Sequence, residues 1–186
     1  MRPALRALRL RAARCKMVGD GGETFMRYVL RQKLFSLGGA FAIRDGEGRD
    51  AYTVEGAAFS FGRQLTLRDA AGNELAFIRQ KLLSWGPTYE IYRRGELFAV
   101  VRKELFSFFR HVFTVDVPGP DDLVAEGDFW ELEFTFSRGG RVVAAVSRQW
   151  FAWADTYGVE VADGEDDVLI LASAIVIDMV RADGGD

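Results

Sequence analysis

Cysteine and histidine are nearly absent, one of each in 186 residues. With Cys15 alone no internal disulfide can form, and one Cys with one His falls short of a Cys/His metal centre. A Ser-His-acid arrangement would have to use His111, which stands between Arg110 and Val112 beside a strand and far from any motif. No Gly-rich phosphate loop follows a strand and opens a helix, so nucleotide sites of that kind are excluded. No apolar run reaches the roughly 20 residues of a bilayer-crossing helix. Nor is there a basic excess. The formal charge is −3, whereas a general nucleic-acid binder needs a dominant basic face.

The charge is unevenly spread. Residues 1–25 hold six basic side chains against Asp20 and Glu23, a net of +4, which leaves −7 for the remainder. This arm mixes Arg with Ala and Leu and lacks the apolar core and small-residue cleavage site of a secretory signal. It is read as a basic, disordered extension, or as sequence upstream of a start at Met26. A basic membrane-surface arm, a transit segment and lipidation of Cys15 are the functional alternatives. The domain is expected over 26–186, in a reducing cytoplasmic setting.

Near the chain's end stands Val168-Leu169-Ile170-Leu171-Ala172-Ser173-Ala174-Ile175-Val176-Ile177-Asp178-Met179-Val180. Its apolar residues fall on every face of a 3.6-residue helix, so such a helix must be enclosed. Asp166 and Asp167 suit its positive end, Arg181 its negative end, and Gly164 and Gly184 punctuate it.

From Met26 onward the chain repeats. Arg31-Gln32-Lys33-Leu34-Phe35-Ser36-Leu37 aligns with Arg79-Gln80-Lys81-Leu82-Leu83-Ser84-Trp85, with Arg102-Lys103-Glu104-Leu105-Phe106-Ser107-Phe108, and with Ser147-Arg148-Gln149-Trp150-Phe151-Ala152-Trp153. Ala58-Phe59-Ser60-Phe61 is a weaker copy, and a skipped one falls near Phe129. The step is about 24 residues. Beyond each copy comes a period-two strand, such as Leu65-Thr66-Leu67 or Tyr89-Glu90-Ile91, and between units stands a turn signal, such as Gly72-Asn73 or Arg94-Gly95. Six units of two antiparallel strands make twelve. A sheet of that size closes to remove its edges, and twelve strands leave a lumen that the apolar helix, about 10–12 Å wide, can fill. The fold class is therefore mainly β: a twelve-stranded antiparallel closed barrel around a central apolar C-terminal α-helix.

That architecture, the opening Met26-Arg27-Tyr28-Val29-Leu30-Arg31-Gln32-Lys33-Leu34-Phe35-Ser36-Leu37, and the run Lys81-Leu82-Leu83-Ser84-Trp85-Gly86-Pro87-Thr88-Tyr89-Glu90-Ile91-Tyr92 resemble the LURP-one-related family. The resemblance extends from Met26 to about Ala182. It implies the tubby-like fold, shared with tubby C-terminal domains and phospholipid scramblases. Tubby domains hold a phosphoinositide with a basic-x-basic pair on the strand before an aromatic-x-hydrophobic-Tyr strand. Arg79 and Lys81, ahead of Tyr89-Glu90-Ile91-Tyr92, match that pair. Alternation places both on one strand face, able to grip one phosphate or to stand as solvated outer-wall charges.

The other candidates read as structural. His111 sits beside a strand, away from any motif, and no catalytic residue, metal ligand or cofactor is assigned. Asp121 and Asp122 after Pro118-Gly119-Pro120 bring Ca²⁺ to mind, but the spacing is not that of an EF-hand. Arg31, Lys33, Arg102 and Lys103 can extend a basic band that Glu104 interrupts. The recurring aromatics Trp85, Phe106, Phe108, Phe109, Trp150, Phe151 and Trp153 are read as barrel packing, with any exposed members free to form an interaction surface. The leading expectation is a non-catalytic phospholipid-binding module, peripheral at the membrane, with Arg79 and Lys81 as ligand-binding residues. The alternatives are a structural or protein-interaction domain without a small ligand, and an enzyme of undescribed type.

Overall fold

Alternation of apolar and polar residues builds the wall of the molecule. Leu65 and Leu67, Ala76 and Ile78, Tyr89 and Ile91, Ala99 and Val101, and Phe113 and Val115 are all buried, while the residue between the members of each pair is only partly covered. One face of every strand must therefore be covered. The structure, a computed structural model, describes residues 16–18, 24–31, 39–57, 60–104, 112–119, 121–150 and 155–184. Its strands are β1 (Lys16–Val18), β2 (Thr24–Arg31), β3 (Ala40–Asp45), β4 (Asp50–Gly56), β5 (Gln64–Asp69), β6 (Glu74–Gln80) and β7 (Thr88–Arg93). They continue with β8 (Glu96–Lys103), β9 (Val112–Asp116), β10 (Leu123–Asp128), β11 (Glu133–Arg138), β12 (Arg141–Ser147) and β13 (Thr156–Ala162), followed by helix α1 (Asp167–Asp183).

Strands β3 to β13 form an antiparallel meander. β2 then pairs with β13 along seven residues and with β3 through Tyr28–Asp45 and Val29–Arg44, which closes a twelve-stranded barrel. The seam with β3 is short. Beside it β1, inside the region read as an extension, pairs with Thr24–Met26 of β2 as a thirteenth strand.

The expected turns lie at one end, referred to below as the turn end. Asp45 Oδ1 accepts from the N–H groups of Glu47 and Arg49, and Asp69 Oδ1 accepts from those of Ala71 and Asn73, all at 2.8–3.0 Å. Arg94 and Gly95 both have positive φ, 52° and 79°, as a two-residue hairpin turn of matching twist requires. At the opposite, loop end the chain leaves β2, β4, β6, β8, β10 and β12. Close to it, Gly127 has φ +144°, and a Cβ there would lie 2.4 Å from the Glu133 carbonyl oxygen.

Helix α1 occupies the lumen, with every residue from Leu169 to Val180 buried. Inward alanines at 76, 99, 125 and 144, at most 2% exposed, leave it room. Burying each of its Leu and Ile side chains contributes about 1.5–3 kcal/mol, so the helix and the wall stabilise one another. Asp166 caps it by accepting from Leu169 N at 3.0 Å. The aspartates read as helix-start charges thus include the cap itself. The C-terminus emerges at the loop end, where Arg63, just before β5, pairs with Asp183.

The aromatic series departs from the expectation of barrel packing. Trp85 is 95% exposed and Trp150 37%. Both stand where the chain has left a strand, beyond the alternation that carries side chains inward. Phe106, Phe108, Phe109, Phe151 and Trp153, and also His111, lie outside the described residues.

Candidate functional site

Arg79 is the penultimate residue of β6, and Lys81 is the first residue past it. Cross-strand register sets Arg79 opposite Glu90 of β7, and Lys81 N continues the ladder to Thr88 O at 2.9 Å. Arg79, Lys81, Glu90 and Tyr92 share the outer face. Arg79 Nη2 donates to Glu90 Oε2 at 2.7 Å and to the Tyr92 hydroxyl, and the guanidinium lies 5.0 Å from the Tyr92 ring centroid. The Tyr92 hydroxyl donates to the same Oε2 at 2.9 Å. Lys81 Nζ approaches the other oxygen, Glu90 Oε1, at 3.8 Å.

Two exposed cations thus converge on one carboxylate from two sides. The hydrogen bond from Arg79 holds the Glu90 carboxyl below its usual pKa, against the opposing push of burial. Glu90 in turn raises Arg79, and burial followed by Glu90 raises the Tyr92 hydroxyl. All three remain in their usual charge states near neutrality. The group carries a net +1, with exposed N–H donors on Arg79 and Lys81 still turned to solvent. It is an anion position with one resident carboxylate.

The alignment of Arg79 with Lys81 was legible from alternation, but Glu90 between them was not. Arg102, a proposed member of the wider band, lies 3.7 Å from Asp116, and Glu104 accepts from Thr114 Oγ1 at 3.0 Å. Arg31 is at the exposed end of β2, and Lys33 lies outside the described residues. Lys103 points the other way, into a cavity of about 60 Å³ at the barrel mouth that Phe113, Phe129, Trp130, Val180, Arg181 and Gly184 complete. That space suits a few waters and falls well short of the few hundred Å³ of small-molecule sites. Behind it, buried Asp178 accepts from Arg181 Nε and Nη2 at 3.0 and 2.7 Å. Burial raises its pKa, and Arg181 moderates the rise. At the far end, Asp122 Oδ1 accepts from Val117 N at 3.0 Å, an ordinary loop role.

A closed antiparallel barrel threaded by its own C-terminal helix is the tubby-like architecture. The chain belongs to the LURP-one-related family, whose model matches residues 26–178. It is 36% identical over 151 residues to the uncharacterized protein YxjI of Bacillus subtilis (strain 168), covering 81% of this chain and 91% of that one. Its fold is similar to the X-ray structure of a protein from Arabidopsis thaliana, with a TM-score of 0.64 at 17% identity, over 84% of this chain and 91% of the other. Among the described residues no helix is long and apolar enough to cross a membrane.

Proposed function

We propose that the domain is a non-catalytic module that binds anionic phospholipid headgroups at the cytoplasmic membrane surface through Arg79 and Lys81. The observation that carries this reading is their convergence on Glu90: the two cations are already arranged around one acceptor. A phosphate beside that carboxylate gains charge-assisted hydrogen bonds from both. Because Glu90 leaves the group at +1, a headgroup with a single negative charge is weakly attracted and a multiply phosphorylated one more strongly. The body's net charge of −7 outside residues 1–25 works in the same direction, disfavouring unselective adsorption to anionic surfaces.

The test is co-sedimentation with vesicles of phosphatidylcholine alone, with phosphatidylserine, or with a phosphoinositide. Pelleting with the phosphoinositide vesicles that weakens with salt and is lost in Arg79→Ala/Lys81→Ala is the expected result. Recovery no higher than with phosphatidylcholine alone removes the headgroup reading, and no recovery with any composition leaves a protein-interaction role.

A further inference from the structure

Two neighbouring loops at the loop end share one turn. Ser60 Oγ lies 3.3 Å from the carbonyl oxygen three residues earlier and 2.7 Å from the one two residues later; for Ser84 Oγ the corresponding distances are both 2.9 Å. In each loop an aromatic residue follows the serine and a glycine of positive φ follows the aromatic, Gly62 at 76° and Gly86 at 92°. The turn holds its tip outward. Phe61 is 93% exposed, Trp85 95%, Leu83 94% and Leu82 57%.

These four side chains project from two adjacent loops. A methyl group on Gly62 would lie 3.0 Å from Leu82 Cδ2, so the loops touch. Arg63 N donates to Gln80 Oε1 at 3.1 Å, and Gln80 N donates to Arg63 O at 2.9 Å, which locks the loop bases together. The loop bases are joined, and large apolar side chains exposed together on neighbouring loops mark an interaction surface.

Its surroundings select a bilayer as the occupant. Directly below the tips stand Arg79 and Lys81, giving aromatic and aliphatic groups outermost with cations one layer behind, the order of an acyl boundary and its phosphates. The opposite end is the more acidic of the two, the described loop-end residues being close to neutral in sum. Across its turns, residues 44–50, 68–74, 93–96, 116–119, 121–123, 138–141 and 162–167, thirteen acidic side chains face seven basic ones, a net of −6. An anionic surface repels that end and orients the loop end toward itself.

We propose that Phe61, Leu82, Leu83 and Trp85 form a wedge that enters the interfacial layer of an anionic membrane. The inference rests on the headgroup reading above and adds insertion to it. The test uses the full chain carrying Cys15→Ser and Leu83→Cys, labelled at position 83 with an environment-sensitive fluorophore and added to the same three vesicle compositions, with pelleting measured in parallel. The expected result is a blue shift on the vesicles that pellet the protein, quenched by bromine in the upper acyl chains. Phe61→Ser/Trp85→Ser, with an unchanged melting curve, is expected to bind about tenfold or more weakly. Pelleting without a shift overturns insertion and leaves headgroup binding standing. A shift on every composition, indifferent to Arg79→Ala/Lys81→Ala, keeps the wedge and removes the headgroup site. A shift that grows with protein concentration in the absence of vesicles overturns the proposal in favour of a second copy covering these side chains.

Discussion

Arg93 grips Asp166 at two points, with Nη1 2.5 Å from Oδ2 and Nη2 2.7 Å from Oδ1. The pair joins the end of β7 to the cap of the central helix, while the guanidinium stacks 4.0 Å from the Phe98 ring centroid. Oδ1 also accepts from Leu169 N, so one carboxylate both starts the helix and ties it to the wall. Burial pushes the Asp166 carboxyl up, but the hydrogen bonds from Arg93 and the helix backbone, with the Arg93 charge, carry it below its ordinary 3.8.

The sign of the pH dependence follows. A depressed folded-state pKa stabilises the fold above the unfolded value and loses that contribution as pH falls through the folded value. Asp166→Asn is expected to lower stability by about 1–2 kcal/mol near neutrality. The gap from wild type should narrow as pH drops below about 4. Urea unfolding across that range checks it, and a gap that widens in acid contradicts the clamp.

Asp178 has the reverse sign. Its folded pKa is raised by burial, so keeping it ionised costs stability, and that cost is relieved as pH falls from neutrality through the raised value. Arg181→Leu leaves this carboxylate without its nearest cation. The expected loss is about 3–5 kcal/mol at neutral pH, shrinking at mildly acidic pH as Asp178 takes up a proton. Denaturant midpoints at the two pH values decide it: a loss independent of pH would mean that Arg181 contributes packing alone.

Much of this fold was legible because the signals are repetitive. Leu169 to Val180 can only be read as enclosed, and turns such as Arg94-Gly95 recur at the unit step, so their errors do not accumulate. What escaped was direction and partnership. Recurrence of Phe61 and Trp85 at one repeat position reads the same whether the side chain packs inward or projects, and only their near-complete exposure in the structure separates the two cases. Glu90 between Arg79 and Lys81 needed the cross-strand register, which a single strand's alternation does not contain. Pairing of β1 with β2 is a three-residue match with no periodicity to announce it.

The lumen sets a sharp limit on substitution. Ile175 is fully buried. Replacing it with Ala should cost about 2–5 kcal/mol through lost burial and a cavity. Replacing it with Asp places an unpaired charge inside the barrel and should abolish folding. Circular dichroism and thermal melts separate these cases, and a cooperative melt for Ile175→Asp would be incompatible with an enclosed helix.

Glu90 makes the anion position testable from the opposite direction to removal of its cations. Its carboxylate screens Arg79 and Lys81 and competes with any phosphate for the same donors. Glu90→Gln keeps the side-chain length and an oxygen acceptor for the Tyr92 hydroxyl while raising the local charge from +1 to +2. Tighter binding to phosphoinositide vesicles is expected, by roughly three- to tenfold at low ionic strength, with a steeper loss on adding salt. Arg79 loses its strongest partner, so some stability should be given up, though little, because an exposed ion pair is worth about 0–1 kcal/mol. The variant therefore separates the two roles of the cluster. Tighter vesicle binding with a near-normal melt identifies Arg79 and Lys81 as groups that take a ligand anion. Unchanged binding with a lowered melt identifies them as outer-wall charges whose partner is Glu90 itself.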